Sequence, residues 1–242
     1  MKQIVIALII TLINLSTFAQ DKVAVNDANA QQRTVIAGFT AITVSDGINL
    51  YLTQGNEESV AVSASEEKYM ERFKTVVENG TLKIYFDKSG LSWFYSEKRK
   101  LNAYVSFKAL EKIYASSGAD VILKSTISVK KLQCTFTSGA HFSGHVNVGE
   151  MAISQNSGSE IDLSGKTEKL QVDVSSGAIF KGYDLAVDFC EAKATSGGGV
   201  RITVNKELNA KANSGGGIRY KGNAVMKDLS VSSGGMVKKE SI

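Results

Sequence analysis

The stretch from Val172 to Ile218, VDVSSGAIFKGYDLAVDFCEAKATSGGGVRITVNKELNAKANSGGGI, decides the fold, because it spells one unit twice and opens it a third time. Each unit starts with a small polar residue and a Ser-Gly pair: Ser175-Ser176-Gly177, Thr195-Ser196-Gly197 and Asn213-Ser214-Gly215. The same pair stands upstream at Ser117-Gly118, Ser138-Gly139 and Ser157-Gly158, and downstream at Ser233-Gly234. The steps between the seven serines are 21, 19, 19, 20, 18 and 19 residues. So even a spacing marks a structural repeat.

Aligned on the serine, the chain resolves into columns. Four residues before it stand Ile113, Cys134, Ile153, Val172, Ala192, Ala210 and Leu229. Four residues after it stand Val121, Phe142, Ile161, Phe180, Val200, Ile218 and Val237. Both columns are wholly apolar with polar residues between, the period of a half-buried strand. A unit of about 20 residues cannot bury its apolar face alone, so the units must stack. The expected fold is all-β: a single-stranded right-handed β-helix of ~20-residue coils, its hand set by the preference of parallel crossovers. Leucine-rich repeats would need a leucine-dominated consensus. A calcium-binding roll would need a nonapeptide that does not follow Ser196-Gly197-Gly198-Gly199. The glycine of each pair is expected at positive φ or at a close approach of coils. The serine, at an even offset, is expected to point inward and bond neighbouring coils. Cys134 and Cys190 fall in mostly apolar columns three coils apart, about 14 Å at the strand spacing, beyond the ~7 Å a disulfide spans. Two free, buried thiols follow.

The 242 residues include 22 glycines and no proline, which fits tight turns inside a regular sheet better than irregular loops. Residues 1–19 read as a secretory signal peptide: Lys2, an apolar run from Ile4 to Leu15, and Thr17-Phe18-Ala19 before the cut. The run is shorter than the ~20 residues of a membrane span. Without Lys2 the 28 basic residues become 27 against 24 acidic, about +3, too little to argue for nucleic acid. The expected location is outside the cytoplasm: periplasm, cell surface or extracellular.

Residues 20–32 read as a flexible lead-in, and 33–242 as one β-helix domain, less regular over 33–109 and built of seven Ser-Gly coils over 110–242. Val44-Ser45-Asp46-Gly47-Ile48-Asn49 matches the repeat with Asp46 in place of the serine, so a coil of the same design begins near there. Glu66 to Phe73 is expected as a short helix with Ser65 as N-cap. Lys74 to Val77 and Leu82 to Phe86, around Asn79-Gly80, are expected as a hairpin. Asp46-Gly47-Ile48-Asn49, Asn79-Gly80-Thr81-Leu82-Lys83-Ile84 and the Ser-Gly-Ala/Gly repeats together resemble the GIN-domain family of autotransporter-adhesin head domains, over roughly residues 33 to 240. The resemblance implies a right-handed β-helix, export from a Bacteroidetes-type bacterium, and adhesion. That family supplies no catalytic residues to carry over.

Three surface features are candidates for binding. Five residues after the serine, Lys181, Arg201, Arg219 and Lys238 form a run of cations in one outward column, suited to acidic polysaccharide or lipopolysaccharide phosphate. Asp120, His141 and Glu160 share a column three residues after the serine, but the column then becomes Ile179 and glycine, and no metal or cofactor is expected. Trp93-Phe94-Tyr95 could stack on sugars through Trp93 and Tyr95, or cap the N-terminal end of the helix. The acids are scattered rather than paired as a glycosidase requires. The expected function is thus an exported, non-catalytic binding protein of the cell envelope, adhesin-like. Its expected partners are acidic polysaccharide or another envelope protein, with a homo-oligomer contact at the abruptly ending last coil. The alternative is a carbohydrate-active enzyme, a polysaccharide lyase or glycosidase, on the same scaffold.

Overall fold

The computed structural model describes residues 27–90 and 99–241; the signal peptide expected over 1–19 lies outside the described residues. The chain is a β-solenoid of about seven turns with ~19-residue coils. Its first strands are β1 (Gln31–Arg33), β2 (Ala41–Val44), β3 (Asn49–Gln54), β4 (Ser59–Ala64), β5 (Phe73–Glu78), β6 (Thr81–Phe86) and β7 (Leu101–Phe107). The regular coils follow as β8 (Lys112–Ala115), β9 (Asp120–Leu123), β10 (Ile127–Phe136), β11 (His141–Gln155), β12 (Glu160–Val174), β13 (Ile179–Ala194), β14 (Gly199–Ala212), β15 (Gly217–Lys221), β16 (Val225–Val231) and β17 (Met236–Lys239).

The Ser-Gly pairs are the corners. Each serine has φ between 48° and 54° and each following glycine between 70° and 75°, both left-handed. The backbone N–H two residues after the serine donates to the carbonyl one residue before it, as in Ala178 N to Ser175 O at 3.1 Å. Two left-handed central residues closed by that bond make a type I′ turn. The corners also bond to one another. Gly118 N–H donates to Ser138 O at 3.0 Å, Gly139 to Ser157 at 3.0 Å and Gly158 to Ser176 at 3.1 Å, and the line continues to Gly215 and Ser233 at 3.2 Å. Gly47 N–H, from the Asp46-Gly47 corner, opens it by donating to Ser117 O at 3.0 Å.

This geometry corrects one expectation. The seven serines are exposed, not inward. A positive φ swings Cβ away from the direction that strand alternation would give it, so parity breaks at the corner. The inward position passes to the residue two after the serine: Ala119, Ala140, Ser159, Ala178 and Gly198 are all buried. That site must be small. A Cβ at Gly216 would lie 2.2 Å from the carbonyl oxygen of Ala194 on the preceding coil.

Between corners the columns stack in the expected register. Cys134 pairs with Ile113 and Ile153, Ile153 with Val172, and Val172 with Ala192. On the other side Phe142 pairs with Val121 and Ile161, Ile161 with Phe180, and Phe180 with Val200. These residues are buried, and Phe136 stacks on Phe142 at 5.1 Å between centroids. Cys134 and Cys190 are free and buried. Burial pushes both thiols up, that of Cys190 to about 12, so neither is a thiolate near neutral pH.

The N-terminal part departs from chain order. Strands β2 and β3 pair in parallel with β8 and β9 on one side and with β6 and β7 on the other. The coil nearest the N-terminal end is therefore made by β6 and β7, which come later in the chain. Antiparallel strands cover that end: β5 pairs with β6, β4 with β7 and β1 with β4. Within the stretch 20–32 expected as lead-in, Gln31 and Gln32 pair with Val62 and Ala61. The β5–β6 hairpin turns through Asn79 and Gly80 at φ 49° and 71°, as expected. The helix expected over Glu66 to Phe73 is instead one 3₁₀ turn, Glu67–Tyr69. Ser65 does not cap it: its Oγ accepts from Lys100 N–H at 3.4 Å and its N–H donates to Lys100 O at 2.9 Å as the β4–β7 ladder continues, and Phe73 is drawn into β5.

The Gly-Ile-Asn segment has a structural reading. Gly47 supplies the corner, Ile48 is buried in the core, and Asn49 Nδ2 donates to Asn102 Oδ1 at 2.9 Å. Asn102 Nδ2 donates to Ser63 Oγ at 3.2 Å, and Ser63 Oγ donates to Asp27 Oδ2 at 2.5 Å. Tyr104 also donates to Asp27 Oδ2, at 2.8 Å. At the opposite end the last coil leaves Val225, Leu229, Val231 and Met236 exposed.

Two predictions follow from this architecture. Because Ser176 is exposed and left-handed, Ser176→Asn should stabilise the chain by about 0.5–1 kcal/mol, asparagine being favoured at the first left-handed position of such turns. Denaturant unfolding checks this, and a loss of stability would restore an inward role for the hydroxyl. The Ser63 hydrogen bond first, and then that of Tyr104, hold the Asp27 carboxyl below its ordinary value. Its folded value lies below the unfolded one, so its contribution is complete above the ordinary carboxylate range and is lost as pH falls through the lowered value. Amide exchange in β1 and β4, corrected for intrinsic rate, should therefore accelerate on acidification. Asp27→Asn should show the faster exchange already at neutral pH.

Candidate functional site

Two lines of side chains run along the stack on the outer surface. The first contains Lys181 on β13, Arg201 on β14, Arg219 on β15 and Lys238 on β17, each paired in register with the next. The spacing of the ladder puts the attachment points about 5 Å apart. Four like charges at that spacing repel unless acids intervene. They intervene at the first and third of the four. Lys181 Nζ lies 2.5 Å from Glu160 Oε1, and Arg219 Nε lies 3.8 Å from Glu240 Oε1. The hydrogen bond from Lys181 holds the Glu160 carboxyl below its ordinary value, with His141 and Arg201 adding to the pull. Among the described residues, Arg201 and Lys238 form no ion pair.

Beside this line Tyr183 donates its hydroxyl to Glu240 Oε2 at 2.5 Å, and Lys221 Nζ sits 4.7 Å from the Tyr183 ring centre. Partial burial and then the Glu240 bond push the Tyr183 phenol up to about 12. Tyr183 escaped the sequence reading, although aligning residues seven after the serine puts Tyr183, Lys221 and Glu240 in one column.

Asp120, His141 and Glu160 are neighbours in register as expected. Glu160 turns to Lys181, however, and no group of three metal-donor residues forms among the described residues. His145 Nδ1 lies 3.0 Å from Ser164 Oγ. Trp93 and Tyr95 lie outside the described residues.

The second line was not recognised from the sequence. A groove of about 1010 Å³ crosses the outer face of β10 to β14. One side of its floor is Lys131, Glu150, Lys169, Phe189 and Glu207 on successive coils; the other is Gln133, Ala152, Gln171, Glu191 and Asn209. Lys131 and Lys169 both reach Glu150, at 2.7 and 3.5 Å. Phe189 interrupts this charge ladder, with Lys206 Nζ 5.4 Å from its ring centre. Gln54 and residues 108–112 line the end nearest the N-terminal coils, where Ser128 N–H donates to Gln54 Oε1 at 2.6 Å. The groove's one legible signal was Phe189, the lone aromatic in its column.

No helix among the described residues is long and apolar enough to cross a membrane. The class is thus a parallel β-solenoid whose outer columns present side chains at the strand spacing. Residues 38–224 match the family described as "putative auto-transporter adhesin, head GIN domain", and the chain belongs to that family. Solved structures share the fold at low identity. A putative adhesin from Bacteroides fragilis has a TM-score of 0.79 at 17% identity, covering 87% of this chain and 96% of its own. A putative adhesin from Parabacteroides merdae has 0.70 at 18%, covering 89% and 98%. A putative lipid binding protein from Parabacteroides distasonis has 0.62 at 17%, also covering 89% and 98%. A search of curated proteins finds no sequence match.

The Lys181–Glu160 pair is about one-third exposed on both sides, so its worth is small. Glu160→Gln should change the unfolding free energy by less than about 1 kcal/mol in denaturant titration. A loss several times larger would make the pair a structural element of the coil.

Proposed function

We propose that the chain is an exported, non-catalytic, adhesin-like binding protein of the bacterial cell envelope that grips acidic polysaccharide along the column of Lys181, Arg201, Arg219 and Lys238. The observation that carries this reading is the register itself. Four cations stand on consecutive rungs of one ladder, and among the described residues the acids beside them engage Lys181 and Arg219 but leave Arg201 and Lys238 without ion pairs. A polymer bearing one acid per sugar has a matching period when laid along the stack. Tyr183, between Lys221 and Glu240, offers a flat apolar edge beside the charges. Membership of an adhesin-head family and the solenoid likeness to putative adhesins support a binding role.

Polygalacturonate is a suitable probe, titrated calorimetrically into the purified chain at low and moderate salt. Binding should weaken with added salt as screening shortens the reach of the column. Arg201→Ala combined with Lys238→Ala should lower affinity about tenfold or more, since each charge-assisted bond contributes about 1.5–3 kcal/mol. Unchanged affinity in the double variant would sink the assignment to this column. Turnover of the polymer would sink the non-catalytic reading.

A further inference from the structure

We infer that the groove across β10 to β14 is a second binding site, for an uncharged β-1,4-linked hexose chain lying along the solenoid axis. It goes beyond the acidic-ligand reading and shares no residue with that column. Three features of the floor converge on this chemistry.

The first is period. Gln133, Gln171 and Asn209 stand in one outward line on alternate coils, separated by Ala152 and Glu191. Alternate coils are about 10 Å apart at the strand spacing. That is about the length of one disaccharide in a flat, two-fold polysaccharide ribbon, so each amide meets the same hydroxyl edge of every second sugar. All three amides are exposed, and among the described residues no protein group bonds their side chains. Each carries both donors and acceptors, the complement of a hydroxyl pair.

The second is charge. Glu150 bridges Lys131 and Lys169 on the groove floor, offsetting one of their two charges. At the other end Glu207 pairs with Lys227 at 3.6 Å, while Glu191, with no ion pair among the described residues, would repel an acidic polymer. With five lysines against four glutamates in its lining, the groove is close to charge balance and favours an uncharged ligand, unlike the cationic column. The third is the apolar platform. Phe189 faces outward where its column is otherwise charged, and Ala152 leaves a flat gap between Gln133 and Gln171. The aromatic face of Phe189 suits the C–H face of a pyranose, and Ala152, two coils away in the other column, keeps the floor low there. A peptide is disfavoured, because the floor is a sheet face whose backbone groups are already paired in the ladders, leaving no edge for strand addition.

The test is calorimetric titration of the purified chain with cellohexaose and mannohexaose, their shorter homologues, and maltohexaose as a helical control. At least one flat hexaose should bind, with affinity rising with length from the dimer upward, and maltohexaose should not compete. Phe189→Ala should lower that affinity about tenfold. Gln171→Ala should lower it several-fold, while Arg201→Ala should leave it unchanged. Both groove substitutions are at outward positions, and an unchanged melting temperature verifies that each variant is folded. No binding of either flat hexaose, equal binding of maltohexaose, or binding indifferent to Phe189 and Gln171 would each overturn the proposal. None of these outcomes touches the polygalacturonate result, so the two sites stand or fall separately.

Discussion

The hydrogen bond from each corner glycine to the serine carbonyl of the next corner is the constraint on which the rest of the solenoid depends. A parallel strand ladder alone fixes register along the strands, but at a turn the chain leaves the ladder and its peptide groups need other partners. Here the Ser-Gly peptide stands along the stack, its N–H directed at the following coil and its carbonyl receiving from the preceding one. The bonds run in one direction from Gly47 to Ser233, so their dipoles add. Such a peptide orientation requires two consecutive left-handed residues. Glycine takes that conformation freely, whereas serine takes it at a cost of about 1–2 kcal/mol. The ladder, together with the bond that closes each turn, offsets that cost.

Once the corners are locked, every position between them is locked too. A slip of one residue would move the inward columns to solvent, and it would break the corner ladder at the same time. Length differences between coils are therefore absorbed away from the corners. Pairing the 20-residue step from Ser176 to Ser196 with the 18-residue step from Ser196 to Ser214 gives register shifts between Gly182 and Ala186 and between Val187 and Phe189, not at the turn. The first shift lies beside Tyr183 and the second reaches Phe189. The two aromatics next to the candidate binding lines thus both sit where the coil adjusts its length. The surface consists of straight lines of side chains, one per coil, and suits ligands that are themselves periodic.

Legibility in the sequence followed the same logic. The apolar columns around Cys134 and Phe142, and the cations from Lys181 to Lys238, were readable because constant offset from a repeated motif is equivalent to stacking when the corners are aligned. The side of the serine was not readable, since alternation assumes extended backbone and φ near +50° breaks it. The helix expected at Glu66 failed because local capping chemistry lost to the sheet: Ser65 is held by Lys100, and Phe73 by Phe86. The placing of β6 and β7 ahead of β2 in the stack was also hidden, because nothing local in Thr81 to Phe86 states which neighbour it pairs with. The groove was missed for a different reason. It depends on two columns read together, and each alone looks like an ordinary solvated face.

In a repeat protein the consensus is explained by stacking, so function is best sought where a column breaks its own rule. The Ser-Gly corner is obeyed seven times and needs no ligand to account for it. Phe189 breaks a column of alternating charge, placing an aromatic where a lysine or glutamate would pair with its neighbours. The run from Lys181 to Lys238 breaks the rule that adjacent rungs should not carry like charge. Glu160 and Glu240 relieve that repulsion at Lys181 and Arg219, but Arg201 stands between two other cations with no ion pair among the described residues. Stability alone would favour an acid or a neutral residue there. A cation held against its neighbours is what the proposed anionic ligand would explain.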